Sequence, residues 1–188
     1  MTCIDRCVVC IVGEVCGVTQ LDNVLYAVCD DSSIIKKYTS DTLSPLAEDI
    51  HVEGMKRPSD IVVCQQDRQL YVADWNCTIW RVSIDDQSYI LWLRTRISIR
   101  SLSMTSRRLL VTSYHPPTVR QYNTTNKQQL CDVKLPQYVE YVEHAFETTH
   151  GTFVVCHQGT SQDKEQRAVS ELLRFCDAYR VTYKQTEE

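Results

Sequence analysis

The sequence predicts an all-β protein, a β-propeller built from about four four-stranded antiparallel blades. An apolar pattern recurs four times, with starts at Leu25, Leu70, Leu109 and Thr152, so that 45, 39 and 43 residues separate consecutive copies. A second apolar stretch containing a basic residue follows each copy, at Ile34–Tyr38, Ile79–Val82, Val119–Tyr122 and Leu172–Phe175. A period of about 40 to 45 residues with four short strands per unit is typical of a propeller blade.

The elements follow from the repeat in chain order. Residues 1–13 are predicted to form an N-terminal lead-in strand, and the blades are predicted at residues 14–55, 56–97, 98–140 and 141–188. In the second copy the strands are predicted at Asp60–Cys64, Gln69–Asp74, Thr78–Ser83 and Tyr89–Leu93. Val, Ile, Tyr and Trp concentrate in these segments, whereas Asp, Asn and Gln occupy the connections, as strands and turns require.

Residues of one strand are predicted to contact different neighbouring blades. In Leu70–Asp74, alternation places Tyr71 and Ala73 on one side of the sheet and Leu70, Val72 and Asp74 on the other. Both sides are covered in a propeller, which explains the nearly continuous apolar run. Asp74 ends the strand and is predicted to accept hydrogen bonds from N–H groups of the following turn, which is a structural role.

The composition excludes several classes of protein. With 43% hydrophobic and 23% charged residues in 188, the chain is neither disordered nor fibrous. The longest apolar run, Cys7–Val12, is far shorter than the roughly 20 residues that span a membrane, and Glu14 makes it a poor signal sequence. Most of the ten cysteines lie inside apolar stretches, where a thiol acts as a small hydrophobe. We therefore expect a cytoplasmic protein without membrane, metal or cofactor.

The charge is distributed unevenly. The net charge is −4, yet residues 87–131 contain no Asp or Glu and hold seven cations: Arg94, Arg96, Arg100, Arg107, Arg108, Arg120 and Lys127. This segment is therefore +7, and the rest of the chain is −11. Such a field can steer an acidic partner or a nucleic-acid backbone, although a set of solvated strand and loop positions also explains it.

The second copy resembles a known family. The segments Arg57–Val63, Leu70–Asp74 and Thr78–Val82 are similar to the NHL repeat and its relatives among six-bladed, TolB-like propellers. The resemblance implies six blades, whereas four copies are present, so a partial or truncated propeller, a four-bladed ring or half of an oligomer are all open, with self-association through exposed blade edges. Glycines that the family has at blade turns are mostly missing, since the chain holds only five.

The resemblance implies an interaction module that binds a protein partner, with RNA binding through the basic residues 94–127 as a further possibility. Aromatic residues and arginine are common at binding hot spots. The candidate binding residues are Trp75, Arg94, Arg96, Arg100, Arg107, Arg108 and His115.

Two alternatives remain open. The first is a calcium-dependent hydrolase of the gluconolactonase or paraoxonase type, for which Glu14, Asp60 and Glu143 are the candidate acids near the axis. The second is a truncated, non-functional propeller fragment. Nucleotide-binding, serine-hydrolase and zinc-protease motifs are absent from the sequence, so an enzyme is the less favoured prediction.

Overall fold

The computed structural model describes residues 14–133, 135, 139, 141–149, 151–158 and 177–182. The predicted lead-in strand at residues 1–13 lies outside the described residues. No helix in the described part of the chain is long and apolar enough to cross a membrane.

The described chain is all β and forms four antiparallel sheets, called blades 1 to 4. In each blade the strands lie side by side in chain order. Blade 1 contains β1 (Val15–Leu21), β2 (Val24–Cys29), β3 (Ile34–Thr39) and β4 (Ile50–His51). Blade 2 contains β5 (Pro58–Cys64), β6 (Gln69–Asp74), β7 (Thr78–Ser83) and β8 (Tyr89–Arg94). Blade 3 contains β9 (Ile99–Thr105), β10 (Arg108–Ser113), β11 (Thr118–Asn123) and β12 (Gln129–Val133). Blade 4 has three described strands, β13 (Tyr141–Glu147), β14 (Thr152–Gln158) and β15 (Asp177–Thr182).

The four strands predicted for blade 2 are confirmed within two residues at every end. The fourth copy differs from the repeat pattern. The described strand paired with β14 is Asp177–Thr182. The predicted stretch Leu172–Phe175 lies outside the described residues, and the polar insertion in this copy had made its repeat spacing uncertain in the sequence. The sequence alignment of this copy is wrong by one residue. His157 pairs with Val142 just before the bulge of blade 4, as Asp74 pairs with Pro58 just before the bulge of blade 2. Phe153, and not Thr152, is therefore the equivalent of Leu70.

The blades are arranged around their first strands. β1 packs against β5, β5 against β9, and β9 against β13, whereas β1 and β13 do not pack against each other in this way. The four blades therefore form a partial β-propeller with β1, β5, β9 and β13 as the inner strands. We call the upper face the one that carries the turns between second and third strands and the connections between blades. The lower face carries the other turns.

Apolar layers between consecutive blades hold the molecule together. Leu70 and Val72 belong to the layer between blades 1 and 2, while Tyr71 and Ala73 belong to the layer between blades 2 and 3. The predicted alternation along β6 is thus confirmed. A third layer between blades 3 and 4 contains Leu110, Val119, Val142, Ala145, Phe153 and Val155.

Left-handed backbone conformations are mostly adopted by residues other than glycine. Among the described residues, nine that are not glycine have φ between 49° and 63°, namely Asp22, Asp31, Leu43, Arg57, Arg68, Cys77, Gln87, Ser106 and Lys127. All nine lie outside the strands, in turns or connections. The scarcity of glycine therefore does not reflect a different turn geometry, since other residues occupy a region that glycine adopts more readily.

Gly17 lies where β1 approaches β5 too closely for a side chain. A Cβ atom at this position would lie 2.8 Å from the backbone nitrogen of Ile61 and 2.8 Å from Oδ1 of Asp60, both on β5. Backbone atoms cannot move aside as the end of a flexible side chain can. We expect Gly17→Ala to lower the free energy of unfolding by about 1–3 kcal/mol, the usual cost of overpacking, as measured by urea denaturation. Val18→Ala, at an exposed position of the same strand, is the control, and an unchanged midpoint for Gly17→Ala would contradict the close approach.

Candidate interaction surface

Each inner strand contains a bulge near the upper face. The pairing between the first two strands of every blade skips one residue, and the skipped residues are Cys16, Ser59, Arg100 and Glu143. A bulge leaves its extra residue out of the ladder and re-aims the side chain. The repeat thus delivers one irregular side chain per blade to the upper ends of the inner strands.

Three of these bulge residues line one cleft on the upper face. The cleft has a volume of about 480 Å³ and is lined by Ser59, Trp75, Ser98, Ile99, Arg100, Tyr114 and Glu143. Arg100 donates from Nε and Nη2 to Oε2 of Glu143 at 2.8 and 2.7 Å. Oγ of Ser59 is buried and has no hydrogen-bond partner among the described residues. We call this the central cleft. It combines an ion pair, a hydroxyl group and two aromatic rings.

Trp75 is the most exposed large apolar side chain of the described residues, with 58% of its surface accessible. The guanidinium carbon of Arg57 lies 4.3 Å from the ring centroid, in a cation–π contact. Arg57 also bridges to Asp30 and Asp31 of blade 1, with both Nε to Oδ1 distances at 3.3 Å. The hydrogen bond from Arg57 holds the pKa of Asp30 below its ordinary value. Arg57 thus contacts the indole ring and is itself held by two carboxylates of blade 1.

Trp75 separates the central cleft from a second one. The second cleft, of about 460 Å³, lies between blades 1 and 2 and is lined by Asp31, Ser32, Met55, Lys56, Arg57 and Asn76 in addition to Trp75. We call it the lateral cleft. An exposed indole between two clefts can serve as the anchor of an interface, because it offers a large apolar area with few rotatable bonds.

An aromatic cluster closes the other side of the central cleft. Tyr114 stacks on Tyr141 of blade 4 at 4.9 Å between ring centroids, with 29° between the ring planes. His115 contacts both rings edge-on, at 4.8 and 5.4 Å. These contacts join blades 3 and 4 and fix Tyr114 as a wall of the cleft.

Asp74 organises the turn that presents Trp75. Its side chain is completely buried. Oδ1 accepts hydrogen bonds from the N–H of Asn76 at 2.9 Å, the N–H of Thr78 at 3.3 Å and the Thr78 hydroxyl, and Oδ2 accepts one from Nε1 of Trp80 at 2.9 Å. The carboxylate therefore satisfies the donors of the β6–β7 turn and ties the turn to the buried indole of Trp80.

The structure divides the predicted binding residues between the two faces. Trp75, Arg94, Arg96, Arg100 and His115 lie at the upper face, since they follow a second strand or belong to the β8–β9 connection and its flanks. Arg94 and Arg96 are exposed and make no ion pair with any described residue.

Arg107 and Arg108 lie at the lower face, in and after the β9–β10 turn. Arg107 binds Asp67 of blade 2 at 2.8 Å, and Arg108 binds Glu147 of blade 4 at 3.1 Å. The two predicted binding residues on this face are therefore engaged in ion pairs between blades.

These ion pairs account for much of the uneven charge along the chain. Blade 3 carries most of the acid-free segment, and its arginines bind acids of the blades on both sides. The inter-blade pairs of the described residues are Arg57–Asp30, Arg57–Asp31, Arg68–Asp22, Arg107–Asp67, Arg100–Glu143 and Arg108–Glu147. Within blade 3, Arg120 also binds Asp132 at 3.4 Å. The basic segment is thus complementary in charge to the blades on either side of it.

Two of the three acids considered for calcium, Asp60 and Glu143, are engaged by other groups. Asp60 accepts hydrogen bonds from the N–H groups of Ile61 and Leu102, both at 2.8 Å, so its carboxylate links blades 2 and 3. Burial raises the pKa of Asp60 to about 6. Glu143 binds Arg100. Among the described residues, no three His, Cys, Asp or Glu side chains are placed to hold a metal ion.

Sequence reasoning missed Arg57, Tyr114 and Tyr141. Tyr114 follows Ser113 as Trp75 follows Asp74, and the register of β10 on β9 matches that of β6 on β5, so the repeat alignment could have identified it. Arg57 and Tyr141 carry no comparable signature. Their roles depend on side-chain contacts with a neighbouring blade, which no local pattern encodes.

No known protein-family profile matches the chain, and no curated protein matches its sequence. Solved structures do match its fold. The computationally designed Ika4 protein is 12% identical with a TM-score of 0.63, and the match covers 90% of this chain and 92% of that one. A chain in a nidogen/laminin complex is 16% identical with a TM-score of 0.63, covering 77% and 57%. The WD40 repeats of RRP9 are 12% identical with a TM-score of 0.64, covering 77% and 45%.

At these identities the comparisons show the fold alone. The chain is similar to propeller structures that include WD40 repeats, and it spans about half the length of the two natural chains. Together with the four sheets, they establish a partial β-propeller.

Proposed function

We propose that this protein is a non-catalytic interaction module that binds a protein partner on its upper face. The observation that carries the proposal is the position of Trp75, an exposed indole held by Arg57 between the central and lateral clefts. Rigid scaffolds commonly present recognition residues on loops in this way. The similarity to WD40 repeats and to a chain in a nidogen/laminin complex supports the same class of function by analogy of fold.

The proposal favours binding over calcium-dependent hydrolysis because the carboxylates of Asp60 and Glu143 already bind other groups of the protein. Both oxygens of Asp60 accept backbone N–H groups, and Glu143 neutralises Arg100. Neither carboxylate is left with the several open oxygen ligands that calcium requires. The same proposal places the protein in the cytoplasm, in keeping with the free thiols of Cys16, Cys29, Cys64, Cys77 and Cys131.

We also propose that the blades are of the NHL type. The supporting residues are those of blade 2, where Asp74 of the Leu70–Asp74 segment closes the turn. This assignment expects a six-bladed ring, so an antibody against residues 58–80 should detect an endogenous band well above 21.8 kDa. A band near that mass would count against a six-bladed ring formed within one chain.

The interaction proposal is tested by locating the partner on the surface. A photo-crosslinking amino acid at Asn76, beside Trp75, is expected to capture a partner in cells, whereas the same residue at Lys127 on the lower face is not. The captured protein is then purified and its affinity measured by calorimetry. Trp75→Ala is expected to weaken binding at least about 10-fold, because a central aromatic anchor typically carries that much of an interface.

Ile90→Ala is the matched control, since Ile90 is an exposed apolar residue on the outer strand β8. It is expected to leave the affinity within about twofold, as most exposed interface-remote positions do. Equal affinities of the wild type and Trp75→Ala for the purified partner would contradict Trp75 as the anchor. Capture at Lys127 and not at Asn76 would show that the upper face is not the binding surface.

A further inference from the structure

The arginines at the upper face indicate which chemistry the central cleft recognises. Arg100 uses Nε and Nη2 to bind one oxygen of Glu143. A guanidinium carries five N–H donors, and the structure gives the remaining three of Arg100 no acceptor among the described residues. Because 53% of its side chain is exposed, Arg100 can bind a second carboxylate beside Glu143.

Two further cations lie on the connection that enters the same cleft. The connection from β8 to β9 runs into the cleft at Ser98 and Ile99, and it carries Arg94 at its start and Arg96 within it. Both are exposed and neither forms an ion pair with a described residue. Among the described residues, Glu143 is the one acid that lines the cleft, and Arg100 neutralises it. The connection that enters the cleft therefore carries two cations without an acidic partner among those residues.

The walls of the cleft add an apolar requirement. Trp75 stands on one side and Tyr114 on the other, and Tyr114 is held in place by Tyr141. Rigid aromatic walls receive aliphatic or aromatic side chains. Oγ of Ser59 offers a hydroxyl group without a partner among the described residues. A ligand that fits all of these groups has a carboxylate close to an apolar side chain.

We propose that the central cleft binds an acidic peptide segment of a partner protein, in which an Asp or Glu lies next to an aliphatic or aromatic residue. The carboxylate binds Arg100 and Arg96, and the apolar side chain packs between Trp75 and Tyr114. This inference rests on the proposed function and names the chemistry of its partner.

The charge pattern favours a peptide over a nucleic acid. A phosphate backbone requires a continuous basic track, whereas Arg107, Arg108 and Arg120 are used in ion pairs within the fold. A short acidic peptide needs only Arg100 and the cations of the β8–β9 connection.

The probe is a phage-displayed library of random 12-residue peptides, selected on the purified protein. Recovered peptides are labelled with fluorescein, and their affinities are measured by anisotropy for the wild type, Trp75→Ala, Arg96→Glu and Lys127→Glu. Arg96→Glu and Lys127→Glu change the net charge equally, but Lys127 lies at the lower face. Arg96 is chosen because its reversal leaves the inter-blade ion pairs of the described residues intact, and thermal melting checks that each variant is folded.

The expected result is a pool enriched in Asp or Glu beside apolar residues. Arg96→Glu and Trp75→Ala are each expected to weaken binding at least about 10-fold, and Lys127→Glu less than about twofold, with affinity falling as salt is added. Peptides that depend on Trp75 but are neutral or basic would overturn the acidic ligand and leave the interaction module standing. Peptides insensitive to Trp75→Ala would overturn both.

A 12-nucleotide U-rich RNA is measured in parallel. Tighter binding of this RNA than of any selected peptide, lost in Arg96→Glu but not in Lys127→Glu, would show that the cleft recognises phosphates. That outcome would overturn the acidic peptide as the occupant.

Discussion

Replacing Asp74 by alanine is expected to destabilise the protein more than any other substitution considered. The change removes the acceptor for the N–H groups of Asn76 and Thr78, the Thr78 hydroxyl and Nε1 of Trp80. The site is completely buried, so water does not replace the carboxylate. A buried donor without an acceptor costs about 1–3 kcal/mol, so we expect a loss of about 4 kcal/mol or more. For a chain of this length the melting temperature should fall by about 10 °C.

Blade 3 provides a matched control for this prediction. Ser113 occupies the equivalent position on β10, is also completely buried, and its hydroxyl has no hydrogen-bond partner among the described residues. Ser113→Ala is therefore expected to change the free energy of unfolding by less than about 1 kcal/mol or to increase it, because an unpaired buried hydroxyl is itself unfavourable. Similar small effects for Asp74→Ala and Ser113→Ala would contradict the role assigned to the carboxylate.

The stability of the protein relative to the Asp60→Asn variant is expected to fall as the pH rises from about 4 to 7. Burial raises the pKa of Asp60 from 3.8 to about 6 in the folded protein. Between these values the folded state binds more protons than the unfolded state, so stability decreases with pH in that window and is constant above it. The difference corresponds to up to about 3 kcal/mol, since one pKa unit is worth about 1.4 kcal/mol.

The measurement is urea denaturation of both proteins at a series of pH values. The asparagine variant does not titrate, so subtracting its curve removes the contributions of all other groups. Asp86→Asn is a control for which the opposite dependence of stability on pH is expected. Hydrogen bonds from Ser83 and Ser88 lower the pKa of Asp86, so the wild type should gain stability over that variant as the pH rises through the acidic range. A wild-type advantage over Asp60→Asn that stays constant or grows with pH would contradict the raised pKa.

Strand positions could be predicted from the sequence because they depend on local chemistry. Alternating apolar residues and polar turns recur with the blade, and in blade 2 they located all four strands. In blade 4 a long polar insertion obscured the repeat spacing, and the described third strand is Asp177–Thr182. The one-residue error at Phe153 has a different origin, since an apolar run by itself does not specify which residue faces which layer.

The candidate site could be predicted only in part. Trp75 stood out as an aromatic residue directly after a strand, and Arg100 and His115 lie with it on the upper face. Arg107 and Arg108 looked equivalent to Arg94 and Arg96 in the sequence, yet they lie at the opposite face. Successive turns of an antiparallel blade alternate between faces, so a run of basic residues in the chain need not form one basic surface.

The sequence by itself determined the all-β repeat, the alternation that gives each strand two apolar faces, and the acidic residue that closes the β6–β7 turn. These follow from interactions between residues that are close in the chain. Only the tertiary structure decided what the arginines do, because their partners lie in neighbouring blades about 27 to 46 residues away in the chain. Packing of the blades placed Arg100, Arg107 and Arg108 of the basic segment in inter-blade ion pairs. It also brought three bulge residues and two aromatic rings from separate blades into one cleft.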